Sequence, residues 1–173
     1  IEPSQGQFDF SATDALLNLA QANAMAFRFH PLVWYAANPP WLEQAVLTTR
    51  KETLHTGYVE RILRRYRGRF QSVDVVNEAI YPEDGRSDGL RNCFWLKAFG
   101  PSYIDNAFHA ARAADPSAML VYNDWGCEAG EARNDTFRKL TLNFLDGLIK
   151  RGVPVDAYGM QGHLDAFAHT IDQ

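Results

Sequence analysis

A basic surplus is missing from this chain. Its 17 Lys and Arg against 21 Asp and Glu leave a formal charge of −4, with a pI near 5.7, so there is no electrostatic footprint for nucleic acid or an anionic membrane. No apolar run approaches the ~20 residues a membrane span requires. Cysteine is scarce: Cys93 and Cys127 are far apart and outside any CxxC pattern. Their spacing leaves two free buried thiols and a disulfide both open. Neither a P-loop nor a dinucleotide-binding glycine pattern occurs, which disfavours nucleotides. HExxH and tight Cys/His clusters are absent, which disfavours zinc, and so is a GxSxG serine elbow. No cofactor is expected. Linkers and low-complexity segments are also lacking, so residues 1–173 read as one domain. No signal peptide begins the chain, and Ile1-Glu2-Pro3 in place of an initiator Met leaves room for processing or truncation.

What is present is a sizeable core. Of 173 residues, 46% are hydrophobic and 22% charged, the balance of a soluble globular protein. Four Trp, seven Tyr and eleven Phe serve mostly as core, while those near strand ends can stack on sugar rings.

The pattern alternates. Ser11 with Asp14 resembles a capping-box start, and Leu16, Leu19 and Ala20 follow at helical spacing to about Asn23. A strand is expected from Ala26 to His30, continuing through Leu32-Val33-Trp34 and broken by Asn38-Pro39-Pro40. Leu54, Tyr58, Ile62 and Tyr66 recur every four residues beside Val59 and Leu63, with Arg61, Arg64 and Arg65 toward solvent, which predicts a helix stopping near Gly68. A strand spans Ser72 to Asn77. Tyr103, Ala107, Phe108, Ala111 and Ala114 share a helical face that ends at Asp115-Pro116. Met119 to Asn123 reads as strand, Phe137, Leu140, Phe144 and Leu148 as helix, and Val155 to Gln161 as the last strand. Strict alternation argues for a parallel sheet with right-handed crossover helices outside it.

Each strand ends in polar or aromatic groups that a purely structural strand would not choose: His30 and Trp34, then Asn77 and Glu78, then Asn123, Asp124 and Trp125, then Gln161 and His163. Singly, each has a plain structural role, such as a turn, a cap or a hydrogen-bonded core histidine. At one end of four parallel strands they face each other, and leaving them unsatisfied costs roughly 1–3 kcal/mol per group. That end of a β/α sheet is where ligands and catalysis collect. A Glu among amides, imidazoles and indoles is the equipment of a glycosidase.

At these residues the chain resembles the family 10 glycoside hydrolases, retaining endo-β-1,4-xylanases of TIM-barrel fold. The likeness begins at Glu2-Pro3-Ser4-Gln5-Gly6-Gln7-Phe8-Asp9-Phe10. It continues through His30-Pro31-Leu32-Val33-Trp34-Tyr35, Asp74-Val75-Val76-Asn77-Glu78-Ala79 and Tyr122-Asn123-Asp124-Trp125 to Gly159-Met160-Gln161-Gly162-His163-Leu164. It covers nearly the whole chain. The resemblance implies Glu78 as acid/base, with Asn77 on the hydroxyl beside the anomeric carbon. His30, Trp34 and Tyr35 would line that subsite together with Asn123. Gln161 and His163 would hold the nucleophilic carboxylate, which places His163 in the catalytic machinery, and Trp125 would stack near the leaving-group sugar. The family commonly has His at Tyr35, Thr or a small residue at Pro31, Trp at Val73 and Tyr at Trp125.

A complete barrel has eight strands and about 250 residues. This chain matches about the third to sixth strands, the central portion of the catalytic domain, and nothing in it matches the family's nucleophile block or its second-strand Asn and Lys. The remaining strands are therefore expected from the same or another chain, and the isolated segment is expected to be inactive. The implied substrate is xylan or a xylo-oligosaccharide, and the implied location is secreted or periplasmic. A non-catalytic carbohydrate-binding remnant and a glycosidase acting on another β-1,4-glycan such as β-glucan are the alternatives.

Overall fold

The computed structural model describes residues 1–128, 130 and 132–163. Within them β1 (Arg28–Phe29), β2 (Ser72–Asn77), β3 (Met119–Asp124) and β4 (Ala157–Met160) lie side by side in that order, all parallel. The helices are α1 (Ser11–Ala22), α2 (Pro40–Thr49), α3 (Thr56–Arg65), α4 (Phe94–Phe99), α5 (Ser102–Ala114) and α6 (Ala132–Lys150). Val73, Val75 and Val76 are fully buried, as the near-continuous apolar run of a parallel strand requires. Val59, Ile62 and Leu63 of α3, with Tyr66 beyond its end, and Ile104, Ala107, Phe108 and Ala111 of α5 belong to one core with them.

Several local expectations are corrected. Ser11 does not cap α1: the cap position is Phe10, and no side chain bonds there. Asp14 instead accepts from Tyr66 Oη and Arg65 Nη2, both at 2.7 Å. The buried face of α1 is Thr13, Leu17 and Ala20, while Leu16 and Leu19 are exposed. The first strand is far shorter than its apolar run, because Pro31 offers no N–H to a ladder. Pairing resumes only where Leu32 and Val33 donate to Asp74 O and Val75 O. The prolines that end it open α2, with Pro40 in the first turn. Helices α2 and α4 were not anticipated. Both cysteines are free, and Cys127 is half-buried rather than buried. Leu164, the end of the last motif block, lies outside the described residues.

One irregularity positions the site. Between Asp74 and Val76 the β2–β3 register slips by one residue, and the extra residue of such a bulge reverses the in–out alternation. Asp74 and Asn77, three apart, thereby join one cluster on the sheet face away from the helices.

Candidate active site

Glu78 leaves β2 in a left-handed conformation, φ 56°, which costs on the order of 1 kcal/mol for a residue with a side chain. Both ends of its backbone are held. Its N–H donates to Asn123 O at 2.9 Å, and its carbonyl accepts from Arg91 Nε at 2.8 Å. The carboxyl group turns into a network of neutral donors. Trp34 Nε1 reaches Oε2 at 3.1 Å, Gln161 Nε2 reaches Oε1 at 3.0 Å, and Asn77 Nδ2 reaches the same oxygen at 3.3 Å. Glu78 is 8% exposed.

A second layer lies beneath. Asn123 Nδ2 donates to Asn77 Oδ1 at 2.8 Å. Arg28 donates to Asn123 Oδ1 at 3.0 Å and through Nε and Nη2 to Asp74 Oδ1. His30 Nδ1 lies 2.8 Å from the other oxygen, Asp74 Oδ2, and that carboxylate orients the ring with Nε2 left for another partner. Both Arg28 and His30 keep nearly half their side-chain surface exposed.

Of the residues singled out from the sequence, Glu78, Asn77, Trp34, Asn123 and Gln161 are joined directly by hydrogen bonds, with His30 joined through Asp74 and Arg28. His163 is exposed and reaches the network through Gln161 Oε1, 2.8 Å away. Tyr35 sets its edge against Trp34 and its face against the guanidinium of Arg91, 4.0 Å away. Trp125 packs on Phe137 and under Arg133, and among the described residues no hydrogen bond joins its indole to the Glu78 network. Arg28, Asp74, Arg91 and the depth of Asp124 were missed as site residues. The signal was available: Arg28 between two phenylalanines and Asp74 among valines are charges in apolar runs, which survive there only when paired.

Asp124 is completely buried. It accepts from Tyr122 Oη, Trp125 N and Ile80 N. Burial pushes its carboxyl group up to about 7; the Tyr122 hydroxyl and two backbone amides oppose the rise, and Glu78 adds to it.

The family model for glycosyl hydrolase family 10 matches residues 1–173. The chain belongs to glycosyl hydrolase family 10. Among family relatives it is 34% identical to endo-1,4-beta-xylanase 1 of Humicola insolens over 164 residues, 94% of this chain and 36% of that protein. The crystal structure of native xylanase 10B from Thermotoga maritima superposes with a TM-score of 0.81 at 31% identity, covering 95% of this chain and 49% of that one. Xylanase 10B from Thermotoga petrophila RKU-1, solved in complex with xylobiose, gives 0.80 at 30% identity over 94% and 48%. The chain thus spans about half of these solved relatives and 36% of the Humicola enzyme. Its sheet is part of a family 10 TIM barrel, and the Glu78 network sits at the carboxy-terminal lip, where that fold does its chemistry.

Proposed function

We propose that this chain supplies the acid/base side of a retaining endo-β-1,4-xylanase. The single observation behind the reading is Glu78 itself: a carboxyl group held in a left-handed turn at the barrel lip, enclosed by the uncharged donors Trp34, Gln161 and Asn77. Protonated, it can deliver a proton to the departing glycosidic oxygen. Once the sugar is attached to a nucleophile, the same group as carboxylate takes a proton from water. Asn77 and His30 present N–H groups or ring nitrogen toward the sugar, and Trp34 offers a flat wall.

The nucleophile must stand about 5–5.5 Å from the acid/base. Asp124 does not qualify, because it is buried and already accepts three hydrogen bonds. We assign that role to a carboxylate from the remaining barrel strands, in the same chain or another. Polymeric xylan cannot enter cells, which favours a secreted or periplasmic enzyme. A β-glucan reading rests on Tyr35, which replaces the family's usual His and is engaged with Arg91 instead of projecting a polar ring.

The test uses the barrel completed with the remaining strands. Glu78→Gln should reduce xylan hydrolysis by about 10²–10⁴-fold, the range of general acid–base catalysis. Faster hydrolysis of soluble cellulose than of xylan would replace the substrate assignment, and undiminished activity in the variant would refute the role of Glu78.

A further inference from the structure

We propose that Arg28 is a positioning residue that dictates which way the Asn123 and Asn77 amides point, and through them which atom faces Glu78. The inference rests on the acid/base reading of Glu78. Its warrant is the direction of each bond. Arg has five N–H donors and no acceptor, so whatever it meets on Asn123 must be the oxygen, here Oδ1 at 3.0 Å. That leaves the Asn123 amide nitrogen, and only the nitrogen, for Asn77, where it donates to Oδ1 at 2.8 Å. With its oxygen so occupied, Asn77 turns its nitrogen to Glu78 Oε1 at 3.3 Å. A carboxylate oxygen beside an amide nitrogen is attracted; beside an amide oxygen it is repelled.

Asn amides have nearly the same shape in either orientation, so packing alone does not choose between them. The choice is made two residues away by a cation that never touches Glu78. Gln161, just past the end of β4, repeats the demand, donating to Asn77 Oδ1 at 3.3 Å and Glu78 Oε1 at 3.0 Å, but its own orientation rests on exposed His163. Arg28 is the better anchored of the two, because Asp74, a nearly buried carboxylate, grips it through Nε and Nη2.

Gly159 supplies an independent observation. A Cβ built there collides with Arg28 Nη2 and with Asn123 Oδ1, the two atoms of the first bond in the relay. Its φ is not among the positive values, so glycine is not required by the backbone. What the hydrogen leaves room for is the guanidinium reaching from β1 past β2 to β3.

Three variants in the completed barrel test this. Arg28→Met removes the donor, Gly159→Ala keeps every charge but pushes the guanidinium off Asn123, and Arg28→Lys restores a donor without an acceptor. Arg28→Met and Gly159→Ala should each lower kcat/KM on xylan about tenfold, the loss expected of one charge-assisted hydrogen bond. On an aryl xylobioside with a dinitrophenolate leaving group, which departs without a proton, kcat/KM should stay within about twofold of the parent. Arg28→Lys should recover most of the xylan activity. Equal losses on both substrates, or parental activity in Arg28→Met, would overturn the relay. Glu78→Gln is assayed alongside: if it is inactive on xylan while Arg28→Met behaves as the parent, the relay alone falls. If Glu78→Gln is fully active, the acid/base reading falls and the relay with it.

Discussion

Two buried groups pull the pH dependence of stability in opposite directions. Asp124 has its carboxyl group raised by burial to about 7, so between pH 4 and 7 the folded state holds a proton that the unfolded state has released. Its contribution therefore falls as pH rises through that window, by on the order of 4 kcal/mol at full effect. His55 is 2% exposed, packed among Trp95, Phe99 and Tyr103, with Nε2 unpartnered. Burial lowers it to about 4, so the unfolded state binds the extra proton between pH 6.5 and 4. Its contribution is lost as pH falls, by about 3 kcal/mol. In the folded protein the two slopes largely cancel. Asp124→Asn should expose the His55 slope, its melting temperature dropping relative to the parent on acidification from pH 6.5 to 4. His55→Phe should do the reverse, losing stability relative to the parent as pH rises from 4 to 7. Melting curves of both variants running parallel to the parent across that range would contradict the assignment. Neither effect was legible in the sequence. Asp124 stands there among the polar strand-end residues and nothing singles out His55, because depth of burial belongs to the fold.

At the level of elements, periodicity carried the helices whose whole face meets the core. The α5 face of Tyr103, Ala107, Phe108, Ala111 and Ala114 is buried as spaced, and so are Val59, Ile62 and Leu63 of α3. It failed for α1, where Leu16 and Leu17 are adjacent and the pattern does not say which is inside; tertiary contact chose Leu17. It failed again at Pro31, where an apolar run hides a missing donor. A glycine in the connection after β3 also matters. Gly126 has φ +85°, and a Cβ there would lie 3.0 Å from Phe137 Cγ, the ring on which Trp125 packs. Gly126→Ala should therefore cost roughly 1–3 kcal/mol through backbone strain and overpacking, read as a lower denaturant midpoint with unchanged slope. An alanine variant as stable as the parent would show that this loop adapts without strain.

At the scale of the whole molecule, the sheet formed by the described residues is open. β1 and β4 are its outer strands, and large apolar side chains are exposed on the elements bordering them. Leu16, Leu19 and Met25 lie before β1, and Leu142, Ile149 and Met160 lie on α6 and β4. Unpaired edges of this kind invite association unless covered. In a closed barrel the neighbouring strands and helices would cover them, which agrees with the 48–49% of the Thermotoga enzymes that the chain spans. A preparation of the 173-residue chain alone should release no reducing sugar from xylan, and joining the remaining strands should both restore release and suppress aggregation. Hydrolysis by the pure, mass-verified segment would refute the need for a carboxylate from outside it.

Sequence alone determined the parallel β/α order and the polar character of the strand ends, because those follow from local periodicity and from which residues stand next to a strand terminus, and its motif blocks carried the resemblance to the family. Tertiary structure decided the rest. The bulge at Val75 put Asp74 and Asn77 on one face, Gly159 left room for Arg28, and Arg91 secured the left-handed turn at Glu78. Each depends on atoms brought together from distant positions, and no spacing rule within one strand encodes the direction of a hydrogen bond between four.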